Sequence, residues 1–393
     1  MAFLLCLLPQ SLPISSDRTS KRGCCGVNCG IFQFFGYVRC WVKGGRPLSQ
    51  SGKTKFRITK EAVRHAYERA RKSKSVGIDE QTIRQFEADL EGNLTRLWKR
   101  LASGDYAPAP LRRIFIHKPG GGWRILGIPT VTDQIAQYVV INHLEPRVST
   151  IFHDNLFNRN GKSAADAVEA ASKRCLQHDW VLCLDIKDFF YSIDHAKLLP
   201  MIQKYTDQKW VLLYIDRWLK NPQKNNRGVL FKSAGVSPGA VISHLLADLY
   251  LYHAFDEWMQ TNYPHVPFGR FVDDILCHCK SENEAKRLLA SITRRLSRYR
   301  LQPNPTKTKI VYCKDDRRKG DYPHVSFDYL KRHFKARKMS TKDGKERWIF
   351  CARRLSSRVF TGATVTNSNS FVPMSNQFAS SVWINPEVKA HNP

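Results

Sequence analysis

Acidic side chains are scarce: 34 Asp and Glu stand against 63 Lys and Arg, giving a formal charge of +29. The basic residues are spread along the chain instead of gathered in a tail, so a phosphate backbone is the natural partner and a merely solubilising surface charge is not. Charge alone separates neither RNA from DNA nor either from an anionic membrane surface. No apolar run is long enough to span a bilayer. Ala2 to Leu8 is a short apolar stretch with nothing basic before it, and the remainder reads as a cytosolic nucleic-acid protein, not a secreted one. A paired Cys-x-x-Cys is also missing, although there are eleven cysteines. Cys24, Cys25, Cys29 and Cys40 cluster without that spacing, which leaves zinc a minority reading. Cys175, Cys183, Cys277, Cys279, Cys313 and Cys351 lie scattered in apolar contexts that suit buried reduced thiols. There is no internal repeat. With 393 residues and 42% hydrophobic content, the chain can bury one large core or two smaller ones.

What is present is a pair of adjacent carboxylates, Asp273 and Asp274, inside the apolar and β-prone run Phe271 to His278. Successive strand residues point to opposite faces, so the pair is best placed at a tight hairpin bend, with Phe268 to Val272 entering and Ile275 to Cys279 leaving. A bend presents both acids to one cavity, where solvent, basic side chains or divalent metal must neutralise them. Taken alone, an Asp-Asp dipeptide is more often a solvated turn. A second apolar strand, Trp180 to Ile186, also carries Asp near its end, at Asp185. Antiparallel packing of the two would bring Asp185 to Asp273 and Asp274. That gives the three-carboxylate, two-metal constellation of nucleotidyl transfer, with two Mg²⁺ ions expected.

Around this centre the periodicity predicts an α+β chain. Residues 1–53 show no sustained period and form an unassigned leader. Helices are expected at Ala62 to Ala70, as one long helix across Ile83 to Leu101, at Asp133 to Leu144, after Ser163, at Ala196 to Tyr205 and at Trp210 to Leu219. Arg112 to Lys118 and Trp123 to Leu126 read as a β-hairpin over a glycine turn, with Lys118 and Arg124 able to grip a triphosphate. A Gly/Lys-rich connection containing Gly228, Gly235 and Gly239 follows. Pro238 would suit the first turn of a helix that runs to Met259. Glu282 to Tyr299 is an amphipathic helix leading to a strand at Lys307 to Tyr312, which completes a β-α-β-β-α-β-like sheet.

These residues together resemble the reverse transcriptases encoded by group II introns of bacteria and organelles. The likeness runs from about Ile58 to Lys338. It includes Arg124 to Val131, Leu144 to Pro146, Gly161 to Ala164, Leu184 to Lys187 with Phe189 and Phe190, Lys209 to Ile215, Val241 to Ala247, Ala254 to Met259 and Lys307 to Lys314. The resemblance implies right-hand polymerase fingers and palm over 54–338, with an antiparallel palm sheet and helical fingers. It implies RNA-directed DNA polymerase activity on an RNA template (group II intron RNA) with a DNA primer and dNTPs, in bacterial cytoplasm or an organelle. Asp185, Asp273 and Asp274 would be the metal-binding, catalytic carboxylates. Phe190 would be the aromatic gate that clashes with a 2′-hydroxyl. Lys118, Arg124 and Gly239 would line the nucleotide site, and Lys307 or Lys309 would hold the pyrophosphate end. A homodimer is left open, and an RNA-binding splicing helper is the alternative role.

Four blocks depart from the family pattern. Its Tyr-Ala-Asp-Asp is Phe271-Val272-Asp273-Asp274 here, which loses only a hydroxyl. Its Pro-Gln-Gly-Gly is Ser237-Pro238-Gly239-Ala240, which replaces a pocket-lining amide with proline. Tyr-Gly-Tyr-Arg-Pro is Leu156-Phe157-Asn158-Arg159-Asn160, and the Phe-Leu-Gly-Tyr turn that grips the primer is Tyr329-Leu330-Lys331-Arg332. Residues 339–393 match neither the family's helical thumb nor its maturase domain, as a truncated or frame-disrupted copy would.

Overall fold

In the computed structural model, which describes residues 55–117, 121–159, 161–225, 228–230, 234–340 and 346–354, helices come first. α1 (Lys60–Ala70) starts where the Thr59 side chain accepts from the Ala62 amide, and Val63, Ala66, Tyr67 and Ala70 recur on its buried face. The single long helix expected across Ile83 to Leu101 is in fact two, α2 (Ile83–Glu87) and α3 (Leu90–Ser103). Asp89 breaks them apart, leaving helical dihedrals so that its carboxylate can cap the Gly92 amide. β1 (Leu111–His117) and β2 (Trp123–Ile128) form the expected hairpin, with residues 118–120 of its tip outside the described residues. α4 (Val131–Ser149) runs further than expected and carries Pro146 near its end.

α5 (Ala164–Gln177) opens on a capping box of Ser163 and Asp166 and leads into β3 (Trp180–Leu184), buried at every residue. α6 (Phe189–Ser192) is a single turn; α7 (His195–Gln203), capped by Asp194, and α8 (Lys209–Leu219) follow. The Gly/Lys-rich connection holds two short strands that were not expected, β4 (Gln223–Asn225) and β5 (Gly228–Leu230). They extend the hairpin into a four-stranded sheet of order β2-β1-β4-β5, so the region expected as helical fingers contains a sheet as well as helices. The helix expected from Pro238 begins later, as α9 (Ile242–Leu251), and is interrupted by a π-turn at Tyr252–Asp256 before α10 (Glu257–Asn262).

β6 (Phe268–Phe271) and β7 (Asp274–Cys279) flank the Asp-Asp bend, followed by α11 (Glu282–Ser297) and β8 (Lys309–Tyr312). These strands and β3 make the antiparallel palm sheet, in the order β6-β7-β3-β8. A three-stranded sheet follows, of β9 (Ser326–Tyr329), β10 (Arg332–Ser340) and β11 (Glu346–Arg354), whose long hairpin pairs residues on both sides of position 338.

The palm sheet separates two apolar layers. Leu182, Leu184, Ile275 and Cys277 belong to the larger core with Leu246, Leu249, Leu288 and Ile292. Val181, Cys183, Leu276 and Val311 belong to the smaller one with Ala167, Ala171, Phe327, Phe334 and Phe350. Because both faces are buried, slipping β3 by one rung would exchange its two faces and misplace Asp185, and each aliphatic side chain so buried contributes about 1.5–3 kcal/mol. Cys175, Cys183, Cys277, Cys279 and Cys313 are free and buried, as their apolar contexts predicted, and Cys351 is half-buried. Cys24, Cys25, Cys29 and Cys40 lie outside the described residues. Among the described residues, no helix is long and apolar enough to cross a membrane.

Candidate active site

The ladder between β3 and β7 ends with Leu184 opposite Ile275, and Phe271 faces Asp274 across the bend. Asp185 is the next residue beyond Leu184, so in sheet geometry it falls on the rung of Asp274, on the same face as Cys183 and Leu276. The bend is a two-residue turn of Val272 and Asp273, one place earlier than expected, with Asp274 as the first residue of β7. Val272 has φ +58°. For a β-branched side chain that is a strained conformation, of the kind that survives only when its surroundings impose it.

Burial pushes the Asp274 carboxyl up to about 7, reinforced by Asp273 and then Asp185 and opposed by Lys307 and Arg124. Burial also raises Asp273, its own backbone amide opposing and Asp185 reinforcing. Asp185 has both oxygens occupied: the Lys307 ammonium lies 2.9 Å from Oδ1, and the Asn304 side-chain amide donates to Oδ2 at 2.9 Å. The Asn304 backbone N–H also donates to the Asp185 carbonyl, at 2.7 Å. The bond to Asp185 raises the Lys307 pKa, with the charges of Asp274 and Asp273 also contributing.

Among the described residues, no three His, Cys, Asp or Glu side chains stand together closely enough to hold a metal ion. The donor set nevertheless suits a hard divalent cation. It consists of carboxylate oxygens that burial, reinforced by their neighbours' charge, holds above the ordinary carboxylate range at Asp273 and Asp274, a penalty that a dication offsets.

The other candidates divide into those near the acids and those elsewhere. Arg124, exposed on β2, is close enough for its charge to lower both Asp273 and Asp274, and the Tyr191 hydroxyl ties α6 to the adjacent Ile125 carbonyl at 2.5 Å. Phe190 is half-buried, its ring edge-on to Phe189 at 5.5 Å and to His244 at 5.6 Å. Lys309 pairs with Cys183 in the ladder, two residues before Asp185 and on the same face. Gly239 has φ +100° and a Cβ there would meet the Gly127 carbonyl at 3.2 Å, so it packs against the fingers strand next to the bond from the Gly127 amide to the Pro238 carbonyl. Lys118 lies outside the described residues. Arg159, the one residue kept from its family block, donates to the carbonyls of Ser149 and Phe152 and so closes the end of α4.

Sequence reasoning missed Asn304 and Arg270. Asn304 sits in a turn that reaches Asp185 only through the fold. Arg270 is wholly buried between Asp248 and Asp256. The signal was there: Asp248 and Asp256 sit in the largely apolar stretch Val241 to Met259, and carboxylates buried there call for a cation.

The family model described as reverse transcriptase (RNA-dependent DNA polymerase) matches residues 116–341, more than half of the chain. The protein YkfC of Escherichia coli is 29% identical over 196 residues, 48% of this chain and 50% of that protein. The group II intron-encoded protein LtrA of Lactococcus lactis is 32% identical over 172 residues, 43% of this chain and 28% of that one. An uncharacterised protein of a cob intron in Schizosaccharomyces pombe is 29% identical over 189 residues, 47% and 22%. The chain thus spans half or less of the length of these relatives. Among solved structures, telomerase from Candida albicans, in complex with a fragment of telomeric RNA, superposes with a TM-score of 0.46 at 13% identity, over 67% of this chain and 50% of that one.

Proposed function

The chain belongs to the reverse transcriptase (RNA-dependent DNA polymerase) family and resembles in particular its group II intron-encoded members, and from that premise we propose that it is an RNA-directed DNA polymerase. One observation supports the reading: the palm ladder ends with Leu184 opposite Ile275, so Asp185 follows beside Asp274, whose carboxyl feels its charge, with Asp273 in the turn next to them.

In this reading a primer 3′-hydroxyl attacks the α-phosphorus of a deoxynucleoside triphosphate. A new phosphodiester bond forms, the α–β phosphoanhydride bond breaks, and pyrophosphate leaves. Asp185, Asp273 and Asp274 would hold the divalent ions, which when bound supply positive charge to the attacking and leaving oxygens. Arg124 attracts the triphosphate to the mouth of the site. Lys307 pairs with Asp185 and opposes the rise at Asp273 and Asp274, and would pass to phosphate oxygens as they arrive. Phe190 would be the gate whose ring meets a 2′-hydroxyl. The basic surface draws in the template.

The test is primer extension with the purified chain, Mg²⁺, a primed RNA template and dNTPs. Extension by the wild type, abolished by Asp274→Asn with RNA affinity unchanged, supports the reading. No extension by a folded wild-type protein sinks it.

A further inference from the structure

The Asp-Asp turn is not held by its own strands alone. Val272, strained at φ +58°, has both of its backbone polar groups taken by side chains from elsewhere: its N–H donates to Asn158 Oδ1 at 3.0 Å, and its carbonyl accepts from Arg270 Nη1 at 3.0 Å. Those two side chains share an anchor. Asn158 Nδ2 donates to Asp248 Oδ2 at 2.7 Å, and Arg270 Nη1 donates to Asp248 Oδ1 at 3.0 Å. Asp256 accepts from Arg270 Nε at 2.8 Å and from Nη2 at 2.5 Å. All three nitrogens of the Arg270 guanidinium are thereby engaged in a site with no solvent exposure.

The π-turn explains how two acids of one helix reach a single guanidinium. Residues eight apart on an ideal α-helix lie about 80° apart around the axis. One extra residue accommodated in the π-turn Tyr252–Asp256 cuts the offset to about 20°, so Asp248 and Asp256 share a face. The segment carrying Asn158 is fixed independently, by backbone bonds from Arg270 N to the Asn155 carbonyl at 2.8 Å and from Phe157 N to the Arg270 carbonyl at 2.9 Å.

We propose that Asn158 and Arg270, locked by Asp248 and Asp256, are positioning residues that impose the left-handed conformation of Val272 and so set Asp273 and Asp274 beside Asp185. This rests on the nucleotidyl-transfer reading for its consequence, but not for its geometry. It also gives a task to Asn158, which stands where the family pattern has an aromatic residue.

If the clamp exists to enforce a backbone conformation, a residue that adopts that conformation freely makes it dispensable. Asn158 is half-buried, so Asn158→Ala is the mild perturbation. Hydrogen exchange of the peptide spanning Phe268 to Cys279 is compared among wild type, Asn158→Ala and the double variant Asn158→Ala with Val272→Gly, and single-nucleotide addition is measured on the same samples. Asn158→Ala should raise exchange at the turn about tenfold and lower kcat about tenfold, with KM for the nucleotide within about twofold. The double variant should recover kcat to within about threefold of wild type. Wild-type exchange in Asn158→Ala, or no recovery in the double variant, overturns the proposal. Should the wild type add no nucleotide, the polymerase reading fails while the exchange result still decides the clamp.

Discussion

The turn between β9 and β10 allows a backbone argument to be tested in isolation. Tyr329 pairs with Arg332 across Leu330 and Lys331, which have φ +47° and +61°. Positive φ at both central residues is the type I′ signature, normally filled by Asn-Gly, because a Cβ in the left-handed region costs about 1–2 kcal/mol. Leu330 packs against the smaller core, so replacing it would confound strain with lost contacts, whereas Lys331 is exposed. Lys331→Gly therefore removes about 1–2 kcal/mol of strain and adds about 0.5–1 kcal/mol of unfolded-chain entropy. The net stabilisation is about 0.5–1 kcal/mol, or about 1–3 °C in Tm for a chain of this size. Lys331→Ala keeps the Cβ and is the control. Urea denaturation and calorimetry of the three proteins would show Lys331→Gly above a wild type that Lys331→Ala matches. Equal gains from Ala and Gly, or a loss with Gly, would refute the reasoning, since the side chain and not the backbone would then be responsible.

Three further outcomes are expected. His278 is buried with no hydrogen-bond partner for either ring nitrogen among the described residues, and burial, with Arg174 and His178 adding, holds its pKa well below the usual value. Below about pH 6.5 the unfolded chain takes up a proton that the folded one refuses, so stability present above that pH is lost on acidification. His278→Leu should flatten the loss and stabilise by about 1–3 kcal/mol, measured as urea midpoints against pH. Burial lifts Asp133 to about 6 despite bonds from the Tyr106 hydroxyl at 2.5 Å and the Ala109 amide at 3.1 Å. Its contribution is fully present below about pH 4 and lost as pH rises through about 6, so Asp133→Asn should erase that slope in thermal melts across pH 4–7. Phe190→Val should reduce the preference for deoxynucleotides over ribonucleotides at least about tenfold in single-nucleotide kinetics; an unchanged ratio rules out the gate.

How much of this could be read from the sequence depended on how local each signal was. The apolar strands ending near Asp185 and beginning at Asp274 were legible because both faces of the palm sheet are buried, leaving two carboxylates conspicuous in apolar runs. The helices with clean buried stripes, α1, α5 and α11, were legible for the same reason. β4 and β5 were not: Gln223-Lys224-Asn225 and Gly228-Val229-Leu230 are too short to show alternation, and β4 exists through its parallel pairing with β1. The split at Asp89 was hidden because the hydrophobic period continues across it, while the cap that breaks the helix is a side-chain choice. Pro238 looked like a helix start but lies in the turn before α9, where its carbonyl accepts from Gly127. The Arg270 network spans residues from Asn158 to Val272, and no window of the sequence contains it.

The central claim is that the carboxylates of Asp185 and Asp274 act as one unit in nucleotide addition. Its most direct test is single-turnover addition of one deoxynucleotide to a primed RNA template by wild type, Asp185→Asn and Asp274→Asn, each checked for an unchanged melting profile and RNA affinity. The account predicts addition by the wild type and a loss of at least about a thousandfold in both variants, which corresponds to about 4 kcal/mol of transition-state stabilisation. Addition that survives either substitution at near wild-type rate would contradict it.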